Sequence, residues 1–195
     1  MSAPLLPVTA VVLSAKPVQK RIPGISVAAH VSTFSDAAGL LDARLRALDA
    51  VQTEWFFYLD DDDELPADYL DVLAECMDAE EPLAYTNEII VLPDGAEYVR
   101  RSGPYSRQDH LRDCAFIHHL AVCRTAAARE AAGRIPRGMY GVEPLLFGEV
   151  AKAGARWVDR IGYVWRRRAS GMSKRCPSVS IGMVRSLAWL ARSEA

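Results

Sequence analysis

Six apolar segments of the chain have the length and composition of buried β-strands. Three of them occupy the N-terminal half, at 8–13, 25–30 and 54–59, and the third is strongly aromatic. The other three lie at 83–86, 88–92 and 156–165. Turn-forming residues such as Pro93 and Gly95 follow several of these segments, which supports their assignment as separate strands.

Apolar residues at helical spacing alternate with these strands. Leu41, Leu45 and Leu48 form the buried stripe of a helix that begins near Ser35, and Pro66 is predicted to be the first residue of a second helix. Further helices are predicted at 125–133, 143–153 and 178–193, of which the last is an amphipathic C-terminal helix. The alternation predicts the α/β class, with a mixed, mainly parallel sheet that is flanked by helices.

The composition is that of an ordinary globular domain. Half of the 195 residues are apolar and a quarter are charged. Because neither a repeat nor a linker divides them, we interpret residues 1–195 as a single domain. The cysteines show no CxxC or zinc-site spacing, which favours reduced thiols in a cytoplasmic protein. They are Cys76, Cys114, Cys123 and Cys176.

The uncharged N-terminus superficially resembles a signal peptide. It lacks a basic start, and Pro4 and Pro7 interrupt its apolar run, so a buried strand explains it better. No stretch of the chain reaches the roughly 18 apolar residues of a membrane-spanning helix. We therefore expect no membrane partner.

The net charge of −2 conceals an asymmetry between the two halves. Residues 1–95 contain 5 basic and 17 acidic side chains, whereas residues 96–195 contain 18 basic and 8 acidic ones. An acidic half opposite a basic half suits a site that binds a cation on one side and anionic groups on the other. Two solvated faces of opposite charge are the alternative.

Four adjacent carboxylates, Asp60 to Asp63, follow the aromatic strand. Like charges in contact raise each other's pKa, and a divalent cation that prefers oxygen ligands, Mg²⁺ or Mn²⁺, removes that cost. In α/β folds, ligands bind beyond the carboxyl ends of strands, which is where this run is predicted to lie. The alternative is a solvated acidic turn that caps the helix near Pro66.

Other classes of acidic site fit the run less well. An EF-hand loop that begins at Asp60 would need glycine at position 65 and glutamate at position 71. The chain has Leu65 and Asp71 there, which excludes an EF-hand. A haloacid-dehalogenase-like phosphate hydrolase also places Asp-x-Asp after a strand, but its motif lies near the N-terminus and is followed by a small hydroxyl residue. That hydrolase stays open as an alternative, whereas the chain has no P-loop and no GxGxxG motif.

The segment Tyr58-Leu-Asp-Asp-Asp-Asp-Glu-Leu-Pro66 resembles the strand-end motif of family-two glycosyltransferases with the GT-A fold. The resemblance implies that Asp60 approaches the nucleoside of a nucleotide-sugar donor. It also implies that Asp62, together with Asp60, binds the Mn²⁺ or Mg²⁺ ion that bridges the donor's diphosphate. The helix around Arg44 is similar to the family's Ala-Arg-Asn helix, which implies that Arg44 lies near the donor. Ser14, after the first strand, is assigned to the donor as well.

Residues 116–119 and 121–124 look like the segment that lines the acceptor side of these enzymes. The likeness implies that His118 or His119 reaches the acceptor. Both histidines fall in a predicted strand, where neighbouring side chains face opposite sides. We therefore expect one histidine to pack in the core, and we exclude the two as a joint pair of ligands.

Two C-terminal segments complete the resemblance. Glu143, eleven residues before Gly154, is similar to the acid of the family's Glu-Asp helix, which is the catalytic base. The strand that ends at Arg166 resembles the family's closing segment, in which Arg168 takes the place of a histidine. Arg166 and Arg168 would share one face, which predicts that they clamp a diphosphate through forked hydrogen bonds.

The chain departs from the family at Val142, Glu143 and Arg168, and it lacks the usual Asp-Asp-Gly-Ser after the second strand. These departures keep open a non-catalytic protein that binds a nucleotide sugar. The function implied by the resemblance is metal-dependent, inverting transfer of a sugar from a nucleoside-diphosphate sugar to a hydroxyl acceptor. The basic second half suits a phosphate-rich acceptor such as a hydroxylated base in DNA, by analogy with some phage enzymes.

Overall fold

A computed structural model of the chain describes residues 5–14, 20–31, 37–113, 116–141, 143–168 and 178–193. The centre of the structure is a seven-stranded mixed sheet. Its strands are β1 (Val8–Ser14), β2 (Ser26–Val31), β3 (Trp55–Asp60), β4 (Leu83–Val91), β5 (Glu97–Arg100), β6 (Ala121–Arg124) and β7 (Arg156–Arg166).

Most strands of the sheet run in one direction. The order is β2-β1-β3-β6-β4-β5, and β7 also pairs with β4. β1 is parallel to β2 and β3, and β4 is parallel to β7, whereas β6 lies antiparallel between β3 and β4 and β5 is antiparallel to β4. Five of the seven strands therefore point the same way, which confirms the predicted mixed, mainly parallel sheet. Ser14, Asp60 and Arg166 end three of these five strands along one edge.

Helices cover both faces of the sheet. They are α1 (Ala37–Ala47), α2 (Tyr69–Met77), α3 (Arg107–Arg112), α4 (Thr125–Arg134), α5 (Gly148–Val150) and α6 (Ser178–Arg192). A π-helical turn (Glu143–Phe147) precedes α5 and a 3₁₀ turn (Ala151–Ala153) follows it. Leu41 of α1 and Ala128 of α4 pack on one face, and Val72 and Leu73 of α2 pack on the other. Among the described residues, no helix is long and apolar enough to cross a membrane.

β3 is buried on both faces, which explains its unbroken apolar sequence. Phe56 and Tyr58 belong to the core on one face, and Trp55, Phe57 and Leu59 belong to the core on the other. The strand lies between β1 and β6 in the middle of the sheet. The acidic run after it therefore emerges directly from the buried centre of the sheet.

α2 begins at Tyr69, three residues after the predicted start at Pro66. Glu64 still exchanges two backbone hydrogen bonds with Val164 of β7, of 3.2 and 3.0 Å. The chain must turn away from β7 before a helix can form, and the Pro66 carbonyl accepts the Tyr69 N–H in that turn. The prediction that Pro66 is the first helical residue was wrong for this reason.

β4 is one continuous strand, although the sequence suggested two short ones. Thr86, Asn87 and Glu88 interrupt its apolar pattern, yet all three are buried. The Asn87 amide donates to Asp159 at 2.8 Å, and the Glu88 carboxylate accepts from Arg100 at 3.2 Å. Because these buried polar groups are paired, the strand continues through them.

Two elements were not predicted from the sequence. β5 carries mostly exposed side chains, and α3 has only six residues. Neither element therefore shows an apolar repeat that could be recognised in the sequence.

Candidate active site

The four aspartates after β3 have different environments. Asp61 is exposed and accepts a hydrogen bond from the Ser14 hydroxyl at 2.6 Å. The side chains of Asp60 and Asp62 are 35% and 25% exposed, and Asp63 is buried at 2%. The run is thus built into the edge of the sheet, which argues against a freely solvated acidic turn.

Arg44 forms an ion pair with Asp60 from the buried face of α1. Its Nη2 atom lies 2.5 Å from Oδ1 of Asp60, and only 3% of its side chain is exposed. The Tyr58 hydroxyl donates to the Arg44 carbonyl at 2.9 Å, which ties α1 to the strand that carries the aspartates. The structure therefore brings Arg44 and Ser14, both assigned to the donor from the sequence, into contact with the acidic run.

Asp63 is held by the closing strand β7. The Tyr163 hydroxyl donates to its Oδ2 atom at 2.9 Å, and the Arg166 N–H donates to its Oδ1 atom at 2.8 Å. The Tyr163 oxygen also accepts the Asp60 N–H at 3.1 Å. Burial, with a smaller contribution from the charge of Asp60, raises the pKa of Asp63 to about 7. A cation beside this carboxyl would favour its ionised form.

Arg166 and Arg168 are each engaged by an acidic side chain. The Arg166 guanidinium binds Glu64 through two hydrogen bonds of 2.9 Å, and both side chains are exposed. The Nε atom of Arg168 lies 2.7 Å from Oδ2 of Asp62. Burial raises the pKa of Asp62, and Arg168 acts in the opposite direction. The two guanidinium groups therefore each pair with a different carboxylate, and the predicted clamp on a diphosphate stays a prediction.

His118 and His119 lie side by side, contrary to the expectation that they face opposite sides. Their ring centroids are 4.1 Å apart. Residues 116–120 precede β6 and belong to no strand, so the alternation of side chains along a strand does not apply to them. The exclusion of the two histidines as a joint pair of ligands was therefore wrong.

The two histidines differ in their surroundings. The Nδ1 atom of His118 lies 2.9 and 3.0 Å from the two carboxylate oxygens of Glu88, and 16% of its side chain is exposed. His119 is buried and stacks on the Tyr163 ring at a centroid distance of 4.4 Å. Burial, followed by the charges of His118 and Arg44, lowers the pKa of His119 well below its usual value. The His119 ring is therefore neutral and able to bind a metal through nitrogen.

Within the described part of the chain, two groups of side chains can each supply three ligand atoms to a metal ion, and within each group these atoms lie within 4.8 Å of one another. One group is Asp60, Asp63 and His119, and the other is Glu88, His118 and His119. The resemblance assigned the metal to Asp60 and Asp62, and of these two residues Asp60 belongs to one of the groups. Carboxylate oxygens with an imidazole nitrogen are a donor set that fits a divalent cation.

Sequence reasoning missed the parts played by Glu88 and Tyr163. Glu88 is an acid inside an otherwise apolar strand, which is a recognisable signal of a buried charge that needs a partner. Tyr163 belongs to the strand that resembles the family's closing segment and ends at Arg166. No sequence signal shows that its hydroxyl reaches Asp63, because that contact depends on the register of β7.

Glu143 is the first residue of the π-helical turn before α5. Gly141, at a φ of 79°, turns the backbone into this segment, and Gly154 ends it at a φ of 116°. π-Helical turns occur frequently at functional sites. Val142 and the side chain of Glu143 lie outside the described part of the chain.

An open cleft of about 410 Å³ lies beside the aspartates. Asp61, Asp62 and Asp63 contribute acidic groups to its lining, and Lys20 and Arg21 contribute basic ones. The Lys20 ammonium also donates to the Asp63 carbonyl at 2.8 Å. A cleft of this size accommodates a small molecule, and its mixed charge suits a ligand that carries phosphate and binds through a cation.

Comparison with known proteins identifies similar sequences and folds. The model of glycosyl transferase family 2 matches residues 27–133, which is more than half of the chain. Among solved structures, the chain is similar to S. aureus TarS 1–349 in complex with UDP-GlcNAc, with a TM-score of 0.59 and 16% identity over 86% of this chain and 50% of that one. For TarS 1–349 in complex with UDP, the TM-score is 0.57, with 15% identity over 86% of this chain and 48% of that one.

The likeness to TarS confirms the predicted fold, because the GT-A-like sheet and its helices are shared over most of this chain. The chain spans about half the length of these TarS structures. No match was found among curated proteins.

Proposed function

Since the chain belongs to glycosyl transferase family 2, we propose that it transfers a sugar from a nucleoside-diphosphate sugar to a hydroxyl acceptor at the carboxyl edge of its sheet. The observation that carries the proposal is the Asp60–Arg44 pair, which sets a carboxylate and a buried guanidinium side by side at the end of the central strand. A nucleotide-sugar diphosphate needs both kinds of group, because its negative charge is met by basic side chains and by a cation that carboxylates hold.

The donor side of the site contains four of the residues assigned from the sequence. Ser14 and Arg44 contact Asp61 and Asp60, and the side chains of Arg166 and Arg168 are 45% and 64% exposed. Exposed arginines can exchange a carboxylate for the oxygens of a diphosphate, which the forked guanidinium binds equally well. The similar TarS structures contain UDP or UDP-GlcNAc, so UDP-sugars are the first donors to test.

The acidic edge of the sheet fits a divalent cation. Asp60 and Asp62, which the resemblance assigns to the metal, are both partly exposed, and Asp60 also shares a three-ligand group with Asp63 and His119. Mn²⁺ or Mg²⁺, when bound, would stabilise the negative charge that develops on the departing diphosphate. Arg44 would orient the donor from the α1 side, since it is fixed by Asp60 and packed in the core.

Glu143 is the candidate general base. In inverting transfer, the acceptor oxygen attacks the anomeric carbon of the sugar while its proton passes to the Glu143 carboxylate. The bond between the anomeric carbon and the diphosphate oxygen breaks in the same step, and the nucleoside diphosphate leaves with the electron pair. The arginines stabilise the charge that it gains. We place His118, which is partly exposed, on the acceptor side.

The acceptor that we propose to test first is anionic. Residues 96–195 carry 18 basic and 8 acidic side chains, and such an excess attracts a polyanion at low salt. A hydroxylated base in DNA combines the required hydroxyl group with a phosphate backbone. Binding to duplex or single-stranded DNA should therefore be measurable and should weaken steeply with salt. Absence of binding at low salt would leave a neutral hydroxyl acceptor.

An assay of UDP release tests the proposed activity. The chain is incubated with UDP-sugars in Mn²⁺ or in chelator, with and without DNA that contains hydroxymethylated bases. Release of UDP that requires the cation supports a transferase, and incorporation of sugar into DNA identifies the acceptor. Nucleotide-sugar binding without release or transfer would favour the non-catalytic binder. Release of phosphate from simple phosphomonoesters would favour the haloacid-dehalogenase-like hydrolase instead.

A further inference from the structure

His119 is buried beside the acidic run and forms no hydrogen bond with any residue that the structure describes. A ring nitrogen of His119 lies within 4.8 Å of a carboxylate oxygen of Asp60 and of Asp63. Its neighbour His118, in contrast, is engaged by Glu88. A ring nitrogen of His119 and two carboxylates therefore lie close enough together to share one cation.

We propose that His119, Asp60 and Asp63 are the protein ligands of the divalent cation and that Asp62 is not a ligand. The three ligands come from three different segments, namely the end of β3, the turn after it and the segment before β6. Three protein ligands leave coordination positions open, as a site that also binds a diphosphate requires. The binding of the ion does not depend on the proposed transferase activity, although the role of the ion in transfer rests on that proposal.

Asp62 is ion-paired with Arg168 and lies outside both groups of possible ligands among the described residues. The Nε atom of Arg168 lies 2.7 Å from its Oδ2 atom. A guanidinium group stays protonated in proteins and has no lone pair to offer a metal, so Arg168 cannot itself be a ligand. Because Asp62 does not join the group that Asp60, Asp63 and His119 form, we place the Asp62–Arg168 pair beside the cation site and not among its ligands.

Tyr163 positions two of the proposed ligands at once. Its ring stacks on His119 with an interplanar angle of 17°, and its hydroxyl donates to Oδ2 of Asp63 at 2.9 Å. Outer-shell groups that orient a ligand and hold a carboxylate in this way are typical of metal sites. One residue of β7 therefore contacts both the imidazole and the carboxylate.

The second group of possible ligands, Glu88 with His118 and His119, is less suitable. The Nδ1 atom of His118 is directed at Glu88, and the Glu88 carboxylate also accepts a hydrogen bond from Arg100 at 3.2 Å. Glu88 is also the one carboxylate of that group, whereas Asp60 and Asp63 supply two carboxylates to balance the charge of a divalent cation. We therefore place the ion with Asp60 and Asp63, and the matched histidine variants below distinguish the two groups.

A nitrogen ligand changes which ion the site prefers. Mg²⁺ and Ca²⁺ favour oxygen ligands throughout, whereas imidazole nitrogen strengthens binding of Mn²⁺ and later transition metals. We therefore expect Mn²⁺ to bind more tightly than Mg²⁺ and Asp62→Asn to leave this preference unchanged. His119→Gln should reduce the preference, because it removes the nitrogen and retains a polar side chain of similar length.

Pulsed electron paramagnetic resonance of Mn²⁺ bound to the whole chain, without nucleotide, tests the proposal. Nitrogen hyperfine coupling to Mn²⁺ is expected in the wild type, in His118→Gln and in Asp62→Asn, and it should be absent in His119→Gln. Loss of an outer-shell partner typically costs a metal site about 10–100-fold in affinity, so loss of this ligand should weaken Mn²⁺ binding at least tenfold by titration calorimetry. Labelling the wild type with ¹⁵N-histidine should change the coupling, which serves as a second test if His119→Gln fails to fold.

Three results would overturn the proposal. They are an absence of nitrogen coupling in the wild type, a loss of coupling in His118→Gln with retention in His119→Gln, and a tenfold loss of Mn²⁺ affinity in Asp62→Asn alone. The transferase proposal fails independently, through the UDP-release assay. Nitrogen coupling without sugar transfer would support the ligand assignment and contradict the transferase activity. Mn²⁺-dependent transfer without nitrogen coupling would support the activity and contradict His119 as a ligand.

Discussion

The Tyr163 hydroxyl donates a hydrogen bond to Asp63 at 2.9 Å from inside the core of the sheet. Tyr163 is fully buried, and its oxygen also accepts the Asp60 N–H at 3.1 Å. One side chain of β7 therefore fixes the position of the acidic run, which begins at the end of a different strand. This link makes the geometry of the candidate site depend on how β7 pairs with the rest of the sheet.

Replacing Tyr163 with phenylalanine should lower the free energy of unfolding by about 1–3 kcal/mol, because Asp63 and the Asp60 N–H lose a buried partner. It should also weaken Mn²⁺ binding. Tyr85→Phe is the matched control, since the Tyr85 hydroxyl is bonded to the Gly103 carbonyl at 2.6 Å. Urea denaturation and Mn²⁺ titration of both variants check the prediction. Equal Mn²⁺ affinities in the two variants would show that the hydroxyl does not support the site.

The sequence predicted the scaffold of this site better than its internal arrangement. The apolar segment 54–59 predicted β3, and the rule that ligands bind at the carboxyl ends of strands placed Asp60 to Asp63 at the correct edge. Arg44 was placed near the donor by resemblance, and the structure pairs it with Asp60. These features depend on local patterns, which a single sequence contains.

The contacts that the sequence did not predict depend on long-range register. The pairing of β4 with β7 shifts twice around Asn87, from Thr86 opposite Val158 to Glu88 opposite Tyr163. Only that shifted register brings the Tyr163 hydroxyl to Asp63. The juxtaposition of the two histidines was likewise missed, because the segment before β6 was assigned to a strand.

Arg44→Gln should weaken binding of UDP by about 10–100-fold, because a hydrogen bond to a charged group contributes about 1.5–3 kcal/mol. Arg124→Gln is the matched control at the opposite end of β3. Arg124 is ion-paired with Glu54 and lies over the Trp55 ring, as Arg44 is ion-paired with Asp60 and lies over the Tyr58 ring. Calorimetric titration of both variants with UDP and Mn²⁺ measures the effect. If the two variants lose affinity equally, Arg44 has no specific role in the donor site.

Binding of the cation and of the nucleotide should be coupled. Because the carboxylates that hold the ion are adjacent to the groups that meet the diphosphate, each ligand should raise the affinity for the other by the same factor. UDP should therefore bind at least about fivefold more tightly in Mn²⁺ than in chelator. UDP and Mn²⁺ together should raise the midpoint of thermal unfolding more than either ligand alone. Equal UDP affinity in Mn²⁺ and in chelator would contradict a metal-dependent donor site.

His110 should make the protein less stable as the pH falls below neutrality. Burial, with a smaller effect of Arg107, lowers the pKa of His110 to about 4 in the folded state, whereas an unfolded histidine titrates near 6.5. Between these pH values the unfolded chain binds a proton that the folded chain does not, so stability is lost as the pH falls from about 6.5 towards 4. The slope from one such group approaches about 1.4 kcal/mol per pH unit.

His110→Gln removes the titrating group and keeps a side chain that can donate to the Pro144 carbonyl, as His110 does at 3.3 Å. Other groups titrate in the same range, among them Asp63, whose raised pKa gives a slope of opposite sign. The prediction therefore compares the wild type with His110→Gln. As the pH falls, the free energy of unfolding should decrease less in the variant than in the wild type. Urea denaturation between pH 4.5 and 7 measures it, and identical slopes would contradict the assignment.

Glu143→Gln should abolish most sugar transfer and leave donor binding intact. The residue opens the π-helical turn before α5, and Pro144 directly after it suits the first turn of a helical segment. A carboxylate at such an N-terminal position is stabilised in its ionised form, which a general base requires. Glutamine keeps the shape and the hydrogen bonding but cannot accept the proton, so transfer should fall by about 10²-fold or more while the UDP affinity is unchanged.

Asp109→Asn and Asp113→Asn, at two exposed acids of the same half of the chain, are the controls. Transfer at the wild-type rate by the Glu143→Gln variant would exclude Glu143 as the base, and a selective loss in either control would transfer the role to that aspartate.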